Sequence, residues 1–256
     1  MNITMLIRQN TFYILGAGLG DIELLTIKAY KILEIADVLL FDNLINSDLL
    51  NIVPKDCIKI YVGKEPFGKY VPQSDINGLI AYYCTQYFNV VRLKGGDPYI
   101  YGRGFEEWAV ARQLGVKVTY VPGVTSMQGV GMWDIPLTHR GTSEGIWVLT
   151  GMKSDGSMAS DLSLAVQSNS TVVIYMGMRK LSEIARMYVM HGKGDTPAAI
   201  VQNATKSGSR RVMCAVRDLA KCSREANMCS PAIIVIGNVV ALSERVDSLS
   251  IKRNVV

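Results

Sequence analysis

The segment that decides the fold is Thr11–Asp42, "TFYILGAGLGDIELLTIKAYKILEIADVLLFD". An apolar run leads into a glycine turn, a stretch with apolar residues at helical spacing follows, and a second apolar run ends at Asp42. We expect a buried strand, a helix with Asp21 at its N-cap, and a second buried strand. This strand–helix–strand order is typical of a parallel α/β sheet.

The rest of the chain extends this pattern and then changes it. Three more strands are predicted in "IKIYVG", "NVVRLKGGDP" and "VKVTYVPG", with helices over 73–87 and 104–114. The second half holds "IWVLTG", "TVVIYMG", "AAIVQNAT", "RRVMCAV" and "AIIVIG" as strands, with "RKLSEIARMYVMHG" as one long helix and "KSDGSMASD" as a polar loop. We therefore predict an α/β protein with a mostly parallel sheet in domain 11–135 and a mixed sheet in domain 136–246, the boundary falling near 122–145.

Composition excludes several classes of protein. The 256 residues are 49% hydrophobic and 19% charged, which is ordinary for a globular protein, and the net charge of +5 supports an anionic small-molecule ligand as well as it supports nucleic acid. The five cysteines form no CxxC pair and the two histidines no cluster, so we expect free thiols in a reducing compartment and no metal site. No apolar stretch is long enough to span a bilayer, and the N-terminus lacks the features of a secretory signal. We expect a cytoplasmic protein without nucleic-acid or membrane partners.

The first glycine loop, "GAGLGD", is close to a dinucleotide-binding fingerprint but departs from it. The third glycine comes one residue early, at Gly20, and Asp21 would repel a pyrophosphate at the start of the helix. A nicotinamide or flavin enzyme is therefore disfavoured. A tight turn with Asp21 as an N-cap is the structural alternative.

The second glycine loop lies in "VVRLKGGDPYIYGRG", Val90–Gly104. A phosphate loop has its lysine after the glycines, whereas Lys94 precedes them here, and Asp97 would again repel phosphate. A glycine pair followed by Asp-Pro indicates close backbone approach to a ligand that tolerates a carboxylate, such as a cationic or polyhydroxylated molecule. A plain turn at the end of a strand is the alternative.

Several motifs occur in an order that points to one family: "GAGLGDIELLTIKA", "FDNLI", "YVGK", "RLKGGDPYIYGRGFEE", "VPGVTS", "IPLTHR", "YMGM" and "AAIVQNAT". From about Tyr13 to Arg245 the chain resembles the tetrapyrrole (precorrin) methyltransferases. The loop with Arg103 and the "LTHR" segment resemble most closely the branch that acts on uroporphyrinogen III.

The resemblance implies both a fold and a reaction. It implies two α/β domains, with S-adenosylmethionine bound in the cleft between them, and a homodimer. The reaction transfers two methyl groups to carbons of uroporphyrinogen III, giving precorrin-2 for sirohaem or cobalamin synthesis and leaving S-adenosylhomocysteine. A fused form of the family carries an additional dehydrogenase and ferrochelatase part. Because this chain begins almost at the methylase motif, we expect it to be monofunctional.

The resemblance also implies the residues of the site. Those for the methyl donor are Leu19, Gly95, Gly96, Asp97, Ile100, Thr125, Ser126, Met176 and Ala204. Those for the carboxylates of the substrate are Arg103, His139 and Arg140, with Lys64 and, more weakly, Lys94 as further cations. Asp42 is implied as proton acceptor and Lys64 as proton donor. A strand-end aspartate that only caps or anchors a loop, and core packing for Met176, are the structural alternatives.

Three residues depart from the family pattern. Leu19 replaces a proline and loses its fixed φ, Asn43 replaces an arginine near the expected substrate trough, and Ala204 replaces a glycine beside the expected adenosine site. Two alternatives stay open: a methylase of another precorrin, because the cofactor motifs are shared within the family, and a weakly active tetrapyrrole-binding relative, because of Leu19 and Asn43.

Overall fold

The computed structural model of the protein describes residues 9–63 and 71–243. The chain divides into two compact units, the first ending at Thr125 and the second beginning at Ser126. Each unit is built on a five-stranded sheet of its own. Within the described residues, no helix has the length and apolar character needed to cross a membrane.

The sheet of the first unit is parallel, as predicted. Its strands are β1 (Thr11–Gly16), β2 (Val38–Phe41), β3 (Ile58–Tyr61), β4 (Asn89–Lys94) and β5 (Lys117–Val121). They lie in the order β3-β2-β4-β1-β5, and every neighbouring pair is parallel. All five strands therefore end at the same edge of the sheet.

Helices cover both faces of this sheet. They are α1 (Ile27–Leu33), α2 (Gln73–Gln86) and α3 (Gly104–Gln113). Leu33 packs with Leu15 on one face, whereas Ile80 and Ala111 pack with Ile14 on the other. The neighbouring strands β1 and β4 thus lead to helices on opposite faces. Such a point of divergence opens a crevice at the carboxyl edge, where ligands of α/β proteins bind.

The first helix begins later than predicted. Asp21 is an N-cap, but of a 3-10 turn over Ile22–Leu24, and its Oδ1 accepts from the Glu23 N–H at 2.9 Å. Leu25 is extended, with a ψ of 136°, and the Thr26 hydroxyl then accepts from the Ala29 N–H at 3.2 Å. Two capping side chains five residues apart divide the apolar stretch, so α1 starts after the second one.

The sheet of the second unit is mixed, as predicted. Its strands are β6 (Ile146–Thr150), β7 (Thr171–Tyr175), β8 (Pro197–Gln202), β9 (Arg210–Ala215) and β10 (Ala232–Ile236). The order is β6-β7-β10-β8-β9, with β6 and β7 parallel and the other pairs antiparallel. Because β7 and β8 are each antiparallel to β10, strands β6, β7 and β8 end at one edge.

Three helices pack on one face of this sheet: α4 (Leu162–Gln167), α5 (Leu181–Met190) and α6 (Leu219–Glu225). The long helix α5 was predicted. The prediction of a single helix in this half was wrong, because α4 and α6 were missed. They have six and seven residues, too few for a helical period to stand out.

A 3-10 segment, Ser126–Trp133, packs on the opposite face. Val130 and Ile135 belong to the same apolar cluster as Val173, and the Trp133 Nε1–H donates to Ser209 Oγ at 3.1 Å. These contacts place residues 126–135 with the second unit, although the predicted limits assign them to domain 11–135. The domain limits themselves stay a prediction.

Candidate functional site

The loops at the carboxyl edge of the first sheet meet at Gly95 and Gly96. The Gly96 N–H donates to the Gly18 carbonyl at 2.8 Å, and the Gly18 N–H donates back at 3.3 Å. A Cβ on Gly95 would lie 2.7 Å from the Leu44 Cβ, and one on Gly16 would lie 2.7 Å from the Gly96 carbonyl oxygen. Side chains are thus sterically excluded where these loops meet. The glycine spacing reflects close backbone approach, as the sequence indicated.

Asp97 ties the loop after β4 to the loop after β5. Its carboxylate is buried, and Oδ1 accepts from the Tyr99 N–H at 2.8 Å. Oδ2 accepts from the Tyr120 hydroxyl at 2.6 Å and from the Gly123 N–H at 3.2 Å. Burial, together with the hydrogen bond to Asp97, raises the pKa of Tyr120, so this hydroxyl stays a donor. Asp97 therefore organises the shape of the edge as well as placing a negative charge there.

Two tyrosines that sequence reasoning missed support Asp97. The rings of Tyr99 and Tyr120 stack, with centroids 4.1 Å apart and planes 8° apart. Stacking of this kind orients both rings and hence the hydroxyl of Tyr120. Tyr120 lies on β5, 23 positions after Asp97, so no local spacing in the sequence signals the pair.

Asp42 lies directly after β2, at the same edge. Its Oδ1 accepts from the Leu44 N–H at 3.0 Å, and its Oδ2 accepts from Arg92 Nη2 at 3.1 Å. The side chain keeps 16% of its surface exposed, so it can reach a ligand. The role of loop anchor, which was the structural alternative, is present. A role in proton transfer is compatible with that exposure.

Lys94, the weaker candidate for binding substrate, faces the interior. Its Nζ donates to Glu107 Oε1 at 2.9 Å, and only 6% of the residue is exposed. Burial, with the Arg92 charge beside it, lowers the pKa of Lys94. The prediction of substrate binding by Lys94 is therefore wrong, because its charge is paired inside the fold.

The other predicted residues of this unit lie around the same edge. Leu19 is half-buried in the loop after β1, Thr125 is buried after β5, and Ile100 is 39% exposed. Arg103 has a left-handed φ of 57° at the start of α3, and its exposed guanidinium donates to both oxygens of Glu106, at 2.9 and 2.7 Å. Lys64 lies outside the described residues.

The carboxyl edge of the second sheet is marked by strained backbone. Met176, directly after β7, has a φ of 54° and is 49% exposed, which excludes core packing as its only role. Ala204, after β8, lies between Asn203 at 51° and Thr205 at 68°. Left-handed non-glycine residues are costly and concentrate at functional sites. The structure thus brings Met176 and Ala204 to the same edge.

Ser126 and the pair His139 and Arg140 lie elsewhere in the second unit. Ser126 precedes Met127, and the Met127 N–H donates to the Tyr175 hydroxyl at 2.9 Å. Tyr175 is the residue before Met176 in the chain. His139 and Arg140 are exposed in a turn closed by the His139 N–H on the Ser143 carbonyl at 2.9 Å. Ser143 Oγ accepts from the N–H of Thr171, the first residue of β7. That turn is therefore at the amino edge, away from Met176, and its contact with substrate stays a prediction.

Within the part of the chain that the structure describes, the cysteines form no disulfide and the metal-ligating side chains form no cluster. Over 9–63 and 71–243, no group of three or more histidine, cysteine or acidic residues could hold a metal ion. The five cysteines are free. Burial raises the pKa of Cys57 to about 11 and that of Cys84 to about 12, so these two thiols are poor nucleophiles.

Comparison with known proteins identifies relatives along nearly the whole chain. The family model of tetrapyrrole (corrin/porphyrin) methylases matches residues 11–220. The uroporphyrin-III C-methyltransferase of Thermus thermophilus, crystallised with S-adenosylhomocysteine, is 35% identical, with a TM-score of 0.79 over 91% of this chain and 100% of that one.

Two curated relatives are longer than this chain. A sirohaem synthase of Chromobacterium violaceum is 38% identical over 93% of this chain and 51% of its own length. An S-adenosylmethionine-dependent uroporphyrinogen III methyltransferase of Arabidopsis thaliana is 39% identical over 90% of this chain and 64% of its own length. The chain thus spans about half the length of the sirohaem synthase that it matches.

Proposed function

The chain belongs to the family of tetrapyrrole (corrin/porphyrin) methylases, and we propose that it methylates uroporphyrinogen III twice, with S-adenosylmethionine as donor, to give precorrin-2. One structural observation carries the proposal. The four loops after β1, β2, β4 and β5 converge on Gly95 and Gly96, where bare backbone can approach a ligand. The names of the relatives favour uroporphyrinogen III over another precorrin as the acceptor.

The residues present fit the proposed donor. The loop places the charge of Asp97 among backbone groups, which suits a sulfonium and would repel a phosphate. Met176 and Ala204, at left-handed turns, would present backbone groups and a flexible apolar side chain to the adenosine. The residues proposed to hold the donor are Leu19, Gly95, Gly96, Asp97, Ile100, Thr125, Ser126, Met176 and Ala204.

S-adenosylmethionine, when bound, supplies an electrophilic methyl group. The chain has to hold an electron-rich pyrrole carbon in line with it, exclude water and accept the proton that the tetrapyrrole loses. We assign the proton to Asp42, whose carboxylate is held by Arg92 and the Leu44 N–H. Lys64 stays the proposed proton donor.

Uroporphyrinogen III carries eight carboxylates, and we propose that exposed cations bind them. Arg103 has the planar fork that pairs with a carboxylate in two hydrogen bonds. One of its partners, Glu106, is half-exposed, so this ion pair can exchange with a substrate carboxylate at small cost. His139 and Arg140 are proposed to bind further carboxylates.

An anaerobic assay with S-adenosylmethionine and uroporphyrinogen III tests the function. We expect a doubly methylated product in the mass spectrum, the absorbance of precorrin-2, and two molecules of S-adenosylhomocysteine for each molecule of product. Asp42→Asn is the matched control. Tight binding of the tetrapyrrole without methylation would sink the enzyme proposal and favour a binding relative. Turnover of a later precorrin alone would favour the other methylase.

The homodimer, and a cytoplasmic location that supplies sirohaem or cobalamin synthesis, are further parts of the proposal. Light scattering of the purified chain would measure the oligomeric state, and a monomer at assay concentrations would contradict the dimer. Fractionation of cells that produce the protein would test the location, and recovery with the membranes would contradict it.

A further inference from the structure

One buried acid in the first unit has no part in the proposed reaction. Glu107 lies on α3, and none of its surface is exposed. Its Oε1 accepts from Lys94 Nζ at 2.9 Å, Gln73 Nε2 at 3.2 Å and Arg92 Nε at 3.4 Å. Its Oε2 has no hydrogen-bond partner among the described residues. A buried carboxylate with one oxygen unsatisfied is costly, so a role beyond filling space is expected.

Glu107 belongs to a cluster of four charged side chains, Asp42, Arg92, Lys94 and Glu107. Two are cations and two are anions, so the cluster is neutral as a whole. The cluster runs from α3, through the end of β4, to Asp42 at the exposed end of β2. Glu107 and Asp42 are thus the buried and the exposed end of one chain of ion pairs.

Arg92 connects the two acids. It is 3% exposed, and its three nitrogen groups donate to three different acceptors: Nε to Glu107, Nη1 to the Leu93 carbonyl at 2.8 Å, and Nη2 to Asp42. Because the guanidinium is planar and rigid, holding it at Nε and Nη1 fixes the direction in which Nη2 points. The orientation of the Asp42 carboxylate therefore depends on the residue that holds Nε.

We propose that Glu107 is a positioning residue for Asp42, acting through Arg92. The inference rests on the proposed function, in which Asp42 accepts the proton. Removal of the Glu107 charge leaves Arg92 and Lys94 opposed only by Asp42, and the guanidinium loses its charged acceptor at Nε. Asp42 would then be held by an arginine that is itself less constrained. The distance and angle from its carboxylate to the reacting carbon would therefore vary.

Three variants separate the positioning role of Glu107 from a role in folding alone. Glu107→Gln keeps the shape of the side chain but leaves a surplus positive charge in the interior, which by itself can destabilise the fold. Glu107→Gln with Lys94→Met removes one charge of each sign, so the double variant is neutral again and should fold. Glu34→Gln, at an exposed glutamate after α1, is the matched control for the chemical change.

The experiment measures kcat, the KM for uroporphyrinogen III and the affinity for S-adenosylhomocysteine in all three variants. In the double variant we expect kcat to fall on the order of tenfold or more, with the other two constants within about twofold of wild type, because small misplacements of a catalytic group reduce rate rather than binding. A kcat equal to that of wild type in the folded double variant would overturn the proposal. So would an equal loss in the affinity for S-adenosylhomocysteine, because such a loss indicates general distortion of the site.

A second readout separates this inference from the proposed function. In the wild type, the Nη protons of Arg92 should give separate, slowly rotating NMR signals, assigned by their loss in Arg92→Lys. We expect these signals to average in the double variant and to persist in Glu34→Gln. Unchanged signals would overturn the positioning role. If the wild type does not methylate uroporphyrinogen III, the proposed function fails, whereas the Arg92 signals still report on Glu107.

Discussion

The carboxyl edges of the two sheets are built by different means. At the edge of the first sheet, charged side chains hold the loops: Asp97 binds Tyr120 and Gly123, and Asp42 binds Arg92. At the edge of the second sheet, the backbone itself is strained, with left-handed residues at Met176 and on both sides of Ala204. We propose that the first edge provides charge and proton transfer, whereas the second provides shape and backbone hydrogen bonds.

The largest effect is expected from Asp42→Asn, at the carboxyl edge of the first sheet. The amide keeps the shape but cannot accept a proton, so we expect kcat to fall on the order of a hundredfold or more. The affinity for S-adenosylhomocysteine, measured by calorimetry, should stay within about twofold, because Asp42 is not among the residues proposed to hold the donor. A wild-type rate would remove proton transfer from this edge and leave Asp42 as a loop anchor.

A second change at the same edge tests Asp97. In Asp97→Asn, an NH₂ group faces the Tyr120 hydroxyl or an N–H donor, and an unpaired buried donor costs about 1–3 kcal/mol. We expect a lower free energy of unfolding and about tenfold weaker binding of S-adenosylhomocysteine, since the glycine loop loses its tie to β5. Tyr120→Phe removes one donor and keeps the carboxylate. It should lower both the free energy of unfolding and the affinity for S-adenosylhomocysteine, but by less than Asp97→Asn does. Unchanged binding in both variants would contradict the role given to this pair.

The two edges also differ in how far the sequence predicts them. Continuous apolar runs predicted all ten strands, and the glycine spacing with the family resemblance predicted Gly95, Gly96 and Asp97. The partners Tyr120, Arg92 and Glu107 were not predicted, because they meet only through the pairing of strands and the packing of α3 on the sheet. Phe41 pairs with Leu93, and this register places Arg92 beside Asp42, 50 positions away. A single sequence carries no local signal for such contacts.

At the carboxyl edge of the second sheet, the sequence marked which residues to examine but did not predict their backbone conformation. "YMG" and "NAT" marked Met176 and Ala204 by resemblance, yet no residue type there requires a positive φ. The neighbours of Met176 are closely packed: the Gly151 N–H donates to the Tyr175 carbonyl at 2.6 Å, and a Cβ on Gly177 would lie 2.6 Å from Ile234 Cδ1. The apolar helices α4 and α6, which pack beneath this sheet, were too short to be predicted by period.

A smaller effect is expected when the strain at Met176 is relieved. Met176→Gly and Met176→Ala both remove the side chain, but only glycine adopts a φ of 54° without cost. We expect the glycine variant to unfold with a free energy about 1 kcal/mol higher than the alanine variant, the cost of a left-handed residue. Both should bind S-adenosylhomocysteine more weakly than wild type. Equal stability of the two variants would show that the backbone at this edge is not strained.

The smallest effect is expected from Glu106→Gln, which removes the negative charge of one surface partner of Arg103. An exposed pair contributes about 1 kcal/mol or less, so the KM for uroporphyrinogen III should fall by no more than a few-fold when the charge of Glu106 no longer competes with the substrate carboxylates for Arg103. The hydrogen bond from Arg103 lowers the pKa of Glu106, so in wild type the pair is lost only as the pH falls through that lowered value. The difference in KM between wild type and variant should therefore be constant from neutral to alkaline pH. A higher KM in the variant would mean that Glu106 orients Arg103 for the substrate and does not compete with the substrate for Arg103. Side-chain contacts would then position the exposed residues of the first edge as well as the buried ones.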